Sequence, residues 1–134
     1  ERARHREVRY EEYAVADARV ILIGYGIVSR VLRRAVGLCR AAGIKAGLLR
    51  PITLWPFPSQ RISELARGAA RLMVVELSTG QMVEDVQLAV AERCPVDFLG
   101  RWGGNVPSSE EVVDSIVQRM RERTGDEDHV AHAA

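Results

Sequence analysis

The sequence predicts a three-layer α/β/α sandwich built around a mostly parallel sheet. Short apolar runs at 19–25, 45–50, 71–77 and 96–100 alternate with segments in which apolar residues recur at helical spacing. Strands that alternate with helices form parallel sheets with helices on both faces. The run at 19–25 is apolar and β-branched almost throughout, which is typical of a strand buried on both faces.

The remaining elements follow from periodicity and end signals. Tyr10, Tyr13 and Val15 alternate with polar or small residues, as in a short edge strand. Gly43 is suited to end the first helix, and Ser108 with Glu111 forms a capping box that opens the last one. Helical patterns cover 28–39, 58–69, 82–90 and 108–120.

The length of 134 residues fits one domain. Segment 1–12 combines four arginines with four glutamates and is expected to be a tether from an upstream domain. We expect the domain to occupy 13–123 and a disordered tail to occupy 124–134. Since position 1 is not methionine, we expect the chain to be part of a longer polypeptide.

Composition excludes several classes of function. A net charge of +1 argues against nucleic acid or a membrane surface as a partner, and the sequence has neither a spanning apolar run nor a signal peptide. A cytoplasmic location is expected. The three histidines lie in the terminal segments, and the two cysteines lack metal or cluster spacing. We therefore predict no catalytic residue, no cofactor-binding residue and no metal ligand in this chain.

A glycine turn, Gly24-Tyr25-Gly26, lies between a predicted strand and helix, where a phosphate-binding loop would stand. However, Ser29 replaces the third glycine, and Arg50 occupies the position where a dinucleotide-binding domain has an acidic residue. A tight turn is the favoured interpretation. A small-ligand or nucleotide-binding regulatory module of Rossmann-like type stays the alternative.

Charged residues also follow the strands. Arg50, Glu76 and Arg101 are each placed at a predicted strand end, so they should meet at one edge of the sheet. A buried carboxylate that faces arginines is more often a structural ion pair than a catalytic base, so this cluster predicts stability rather than turnover.

Segment 50–58 holds three of the five prolines together with Trp55 and Phe57, so it should follow one stiff course. Its aromatic rings, like that of Trp102, must be buried either on the domain's own core or in another protein surface. The second possibility predicts an interface with an aromatic centre and a polar rim. The candidate interface residues are Arg50, Pro51, Thr53, Trp55, Phe57, Glu76, Gln81, Arg101 and Trp102.

Three motifs give the chain a specific resemblance: LRPITLWPFP at 49–58, VELSTGQMVEDV at 75–86 and FLGRWGG at 98–104. Over about 10–120, the chain resembles the carboxy-terminal domain of the α subunit of 2-oxoacid:ferredoxin oxidoreductases, most of all the 2-oxoglutarate type. It is more distantly similar to the carboxy-terminal domain of transketolase. Trp102 departs from the family pattern and makes its loop bulkier.

The resemblance implies a five-stranded sheet whose first strand is an antiparallel edge strand. It also implies a parent complex that decarboxylates a 2-oxoacid on thiamine diphosphate, forms acyl-coenzyme A and reduces ferredoxin through iron–sulfur chemistry. Other domains and the β subunit would hold thiamine diphosphate and its magnesium ion. The implied role of this chain is assembly, with upstream domains of the α subunit and the β subunit as partners, and with no activity alone. A plain structural domain of an unrelated complex is a third possibility.

Overall fold

The computed structural model describes residues 7–53, 56–77, 81–100 and 105–133, and it describes side chains in the last helix as far as Glu122. Within these ranges the chain forms five strands and four helices. The strands are β1 (Tyr10–Tyr13), β2 (Val20–Ile23), β3 (Ala46–Pro51), β4 (Arg71–Glu76) and β5 (Val96–Gly100). The helices are α1 (Val28–Ala41), α2 (Ser59–Gly68), α3 (Gln81–Val90) and α4 (Ser109–Ala133).

The strands form one sheet in the order β1-β3-β2-β4-β5. Strands β2 to β5 pair in parallel, and β1 pairs antiparallel with β3. The predicted fold class, including the antiparallel edge strand, is confirmed.

Two apolar clusters fill the space between the sheet and the helices. Because side chains alternate along a strand, Val20 and Leu22 of β2 face the cluster that includes α1 and α4, whereas Ile21 and Ile23 face the cluster that includes α2 and α3. The central strands are therefore buried on both faces. This explains why the sequence showed continuous apolar runs rather than alternation.

Several end signals act as the sequence predicted. The Ser108 side-chain oxygen accepts a hydrogen bond from the Glu111 backbone N–H at 3.1 Å, which caps α4. Gly43 follows α1 with a φ of +85°, a left-handed conformation that glycine adopts at no steric cost.

Two elements extend into the terminal segments that the sequence analysis set apart from the domain. Strand β1 begins at Tyr10, so the last part of the expected tether 1–12 belongs to the sheet. Helix α4 continues to Ala133, where the sequence predicted a disordered tail from Thr124. The apolar pattern stops at Met120, so periodicity gave no signal for this extension. The division into segments 1–12, 13–123 and 124–134 stays a prediction.

Candidate functional site

The four parallel strands end at one side of the sheet, and the antiparallel β1 begins there, since Tyr10 pairs with Pro51. We call this side the carboxyl edge; its described segments are 7–10, 24–27, 51–53, 76–77 and 105–108. Strand β2 leads to α1 on one face, and its neighbour β4 leads to α3 on the other. Such a switch point is where open α/β sheets place their ligand sites.

Glu76 is a buried carboxylate at this switch point, with 1% of its surface exposed. Its two carboxylate oxygens accept hydrogen bonds from the backbone N–H groups of Met82 at 2.8 Å and Val83 at 3.0 Å. The first turn of a helix leaves such N–H groups without helical partners and carries a partial positive charge. Glu76 therefore anchors the start of α3.

Arg50 does not pair with Glu76 as the sequence predicted. Its Nη1 donates to Glu11 Oε2 at 3.1 Å, because the antiparallel register places Glu11 directly opposite Arg50. The third member of the predicted cluster, Arg101, lies outside the described residues. Arg50 also lines a cavity of about 130 Å³ with Arg30 and Arg33, and Glu11 and Glu12 line the same cavity.

The described part of the proline-rich segment is tied to the domain. Pro51 is buried, and Phe57 is half-buried against the cluster that includes α2. The Thr53 hydroxyl is hydrogen-bonded to the backbone of Arg9 and Pro56. Phe57 therefore contributes to the domain's own core.

The remaining candidate interface residues divide into two groups. Gln81 is exposed at the start of α3. Trp55 and Trp102 lie outside the described residues, so their assignment to an interface stays a prediction.

The glycine turn after β2 serves packing. A Cβ atom at Gly24 would lie 2.6 Å from Leu32 Cδ1 and 3.3 Å from the Val75 carbonyl oxygen, so any side chain there would have to displace Leu32 from its place between α1 and β4. Gly26 has a φ of +63°. Both observations agree with the tight-turn interpretation.

Sequence reasoning missed a set of exposed aliphatic residues at the carboxyl edge. Among the described residues, each loop that follows a parallel strand presents one large aliphatic side chain to solvent, and Ile27 is the most exposed at 60%. The four residues are Ile27, Ile52, Leu77 and Val106. Ile27 and Ile52 each follow a predicted strand after one intervening residue, whereas Leu77 is the last residue of a predicted strand and Val106 lies six residues after the last one. The four residues therefore share no common sequence signal.

None of the described helices has the length and apolar character of a membrane span.

The chain matches the family model described as pyruvate:ferredoxin oxidoreductase core domain II over residues 18–112. It is 51% identical over 125 residues to ketoisovalerate oxidoreductase subunit VorB of Methanothermobacter thermautotrophicus, covering 93% of this chain and 34% of the relative. It is 35% identical over 120 residues to 2-oxoglutarate synthase subunit KorA of the same organism, covering 90% and 32%. The chain thus spans about a third of the length of these relatives.

Two solved structures share the fold. One is a 2-oxoglutarate:ferredoxin oxidoreductase from Magnetococcus marinus with 2-oxoglutarate, coenzyme A and succinyl-CoA bound (TM-score 0.72, 22% identity, 82% of this chain and 19% of that one). The other is a split-gene transketolase as an inactive β4 tetramer (TM-score 0.67, 18% identity, 81% and 40%).

The relatives do not single out the 2-oxoglutarate type that the motifs suggested, because the identity to the ketoisovalerate subunit is higher. The family match covers most of the chain, and relatives of two substrate types agree with it. The chain therefore belongs to the pyruvate:ferredoxin oxidoreductase core domain II family of the 2-oxoacid:ferredoxin oxidoreductases.

Proposed function

We propose that this chain is an assembly domain in a subunit of a 2-oxoacid:ferredoxin oxidoreductase. Its carboxyl edge packs against the catalytic domains of the same subunit or against a partner subunit. In this proposal the chain supplies a surface and no reacting group, and it has no turnover by itself.

The observation that carries the proposal is the uneven distribution of exposed apolar side chains. Nine large apolar residues are exposed in the described part of the chain, and six of them lie at the carboxyl edge. Those six are Val8, Tyr10, Ile27, Ile52, Leu77 and Val106. The described loops at the opposite end of the parallel strands expose none of the nine. An apolar surface gathered on one side of a domain is typical of a protein–protein contact.

The whole complex would decarboxylate a 2-oxoacid with thiamine diphosphate, transfer the acyl group to coenzyme A and reduce ferredoxin. The carboxyl edge offers a poor fit to thiamine diphosphate and its magnesium ion. The described residues include no group of three side chains able to hold a metal ion, and Glu76 already binds two backbone N–H groups of α3. We therefore assign these cofactors and the iron–sulfur cluster to other parts of the complex.

The substrate is the second part of the proposal. Two 2-oxoacids are in question, the ketoisovalerate of the 51% identical relative and the 2-oxoglutarate of the 35% identical one. The identities favour ketoisovalerate. Substrate contacts are expected outside this chain, so substrate preference has to be measured with the purified complex.

Activity is tested by dye reduction with coenzyme A and each 2-oxoacid in turn. The reaction is measured with the 134-residue chain and with the complete complex. We expect turnover by the complex only, and faster turnover with ketoisovalerate. Turnover by the chain alone would overturn the assembly role, and a preference for 2-oxoglutarate would overturn the substrate assignment.

The interface is tested by the double substitution Ile27→Ser and Ile52→Ser in the full-length subunit. Leu88→Ser is the matched control, because Leu88 is 80% exposed but lies on α3, away from the carboxyl edge. Burying one such side chain contributes about 1.5–3 kcal/mol, so the double variant should weaken assembly by at least about tenfold. Equal assembly of the double variant, the control and the unmodified subunit would refute the interface.

The alternative is a nucleotide-binding regulatory module, and the observation in its favour is the cavity that three arginines line together with Glu11 and Glu12. Its volume of about 130 Å³ is well below the roughly 300–1,000 Å³ of small-molecule sites, so it could take a single phosphate group at most. A cavity of about 580 Å³ between α3 and β5 is large enough, but Glu84 and Glu92 line it and would repel phosphate. Calorimetry with adenine nucleotides and coenzyme A should therefore show only weak binding; tight binding would favour the module.

A further inference from the structure

Thr53 makes an unusual number of contacts for a loop residue. Its side-chain oxygen accepts a hydrogen bond from the Arg9 backbone N–H at 3.0 Å. The same oxygen lies 3.0 Å from the Pro56 carbonyl oxygen and 3.3 Å from the Arg9 carbonyl oxygen. A threonine hydroxyl has one proton to donate. Pro56 is the better acceptor, because the Arg9 carbonyl already receives two backbone N–H groups.

Those two N–H groups belong to Ile52 at 2.9 Å and to Thr53 itself at 3.1 Å. The backbone of Arg9 therefore holds the first part of the proline-rich segment through its carbonyl and its N–H. The hydroxyl then connects this point to Pro56, on the far side of residues 54 and 55. One side chain thus joins the segment before β1 to both described ends of the loop.

We propose that Thr53 is a positioning residue for the interface loop. It holds the two described ends of segment 50–58 together through the backbone of Arg9 and Pro56, and it does not itself contact the partner. The proposal rests on the assembly function proposed above and deepens it. The hydroxyl has no donor left for a partner, whereas the segment it holds includes the exposed Ile52 and carries Trp55 in sequence.

The same geometry gives segment 7–9 a role. Because Arg9 supplies the anchoring groups, a chain that begins at Tyr13, the boundary expected from the sequence, would lose the anchor together with β1. Removal of residues 1–9 should therefore loosen the loop in the same way as loss of the Thr53 hydroxyl.

The test compares Thr53→Val with Thr53→Ser in the full-length subunit. Valine keeps the shape of threonine and lacks the hydroxyl, whereas serine keeps the hydroxyl. Hydrogen exchange is followed in peptides covering 7–13 and 50–58, and the affinity for the partner subunit and the unfolding midpoint are measured for both variants. With Thr53→Val we expect exchange in these peptides to be about tenfold faster and the affinity about tenfold weaker, with an unfolding midpoint lowered by only the few degrees that the loss of one hydrogen bond accounts for. With Thr53→Ser both quantities should stay within about threefold of the unmodified subunit.

The possible outcomes separate this proposal from the proposed function. Unchanged exchange in Thr53→Val would overturn the positioning role directly. Faster exchange with full affinity would also overturn it, and the interface would survive if Ile27→Ser with Ile52→Ser still weakens assembly. If neither Thr53→Val nor the aliphatic substitutions affect assembly, the interface itself is wrong. If Thr53→Val and Thr53→Ser lower the unfolding midpoint equally, Thr53 only stabilises the fold.

Discussion

Substitution of Glu76 by glutamine tests whether the buried carboxylate anchors α3. The carboxylate accepts two backbone N–H groups, at 2.8 and 3.0 Å, in a site that is closed to water. A carboxamide of the same shape has only one oxygen. One of the two N–H groups would therefore face the NH₂ group of the glutamine, and the favourable interaction of a negative charge with the helix start would be lost.

The size of the effect follows from these contacts. A hydrogen bond to a charged acceptor contributes about 1.5–3 kcal/mol, and the charge at the helix start adds about 0.3–1 kcal/mol. We expect Glu76→Gln to lower the free energy of unfolding by about 2–4 kcal/mol. This is a large part of the roughly 5–15 kcal/mol that stabilises a domain of this size.

Urea denaturation followed by circular dichroism measures this loss. Glu84→Gln is the matched control, because Glu84 lies in the first turn of the same helix but is exposed to solvent. The control should lower the free energy of unfolding by no more than about 1 kcal/mol. A loss below about 1 kcal/mol for Glu76→Gln, or equal losses for both variants, would refute the anchoring role.

Three further predictions concern packing and ionisation. Gly47→Ala should lower the free energy of unfolding, measured by urea denaturation, by about 1–3 kcal/mol, because its Cβ would lie 2.8 Å from a backbone carbonyl oxygen. Gly37→Ala is the matched control. It has open space on α1 and should raise the free energy of unfolding by about 0.5–1 kcal/mol. A hydrogen bond from Arg40 lowers the pKa of Asp17. The stability difference between Asp17→Asn and the unmodified chain should therefore be full above about pH 5 and shrink as the pH falls through the lowered pKa. A difference that does not shrink on acidification would contradict this. Burial raises the pKa of the Cys39 thiol. Labelling of Cys39 at pH 8, measured on its own peptide apart from Cys94, should be at least about a hundredfold slower in the folded chain than in urea, and rapid labelling of Cys39 in the folded chain would contradict its burial.

The sequence was sufficient for the fold because the strong signals were local. The strand at 71–77 and its neighbours are apolar runs of strand length, and Ser108 with Glu111 marks a helix start that needs no tertiary information. The sequence was insufficient where a contact depends on the register of a weak strand. Arg50 meets Glu11 only because β1 pairs antiparallel with β3, and Glu11 had been assigned to the tether. The four exposed aliphatic residues at the carboxyl edge were missed because the path of each loop decides whether its side chains are exposed. Hydrophobic periodicity does not report that path.

Three polar side chains at the carboxyl edge support the proposed assembly role for a common reason. Glu76 binds backbone groups at the start of α3, and the Thr53 hydroxyl binds the backbone on both sides of its loop. The Ser29 hydroxyl donates to the Gly26 carbonyl at 2.7 Å, at the start of α1. An active site at a switch point would direct such groups outward to a ligand and keep its aliphatic residues inside. Here these three side chains bind the domain's own backbone and the aliphatic side chains of the strand-end loops face solvent, which is the arrangement expected of a surface that another protein covers.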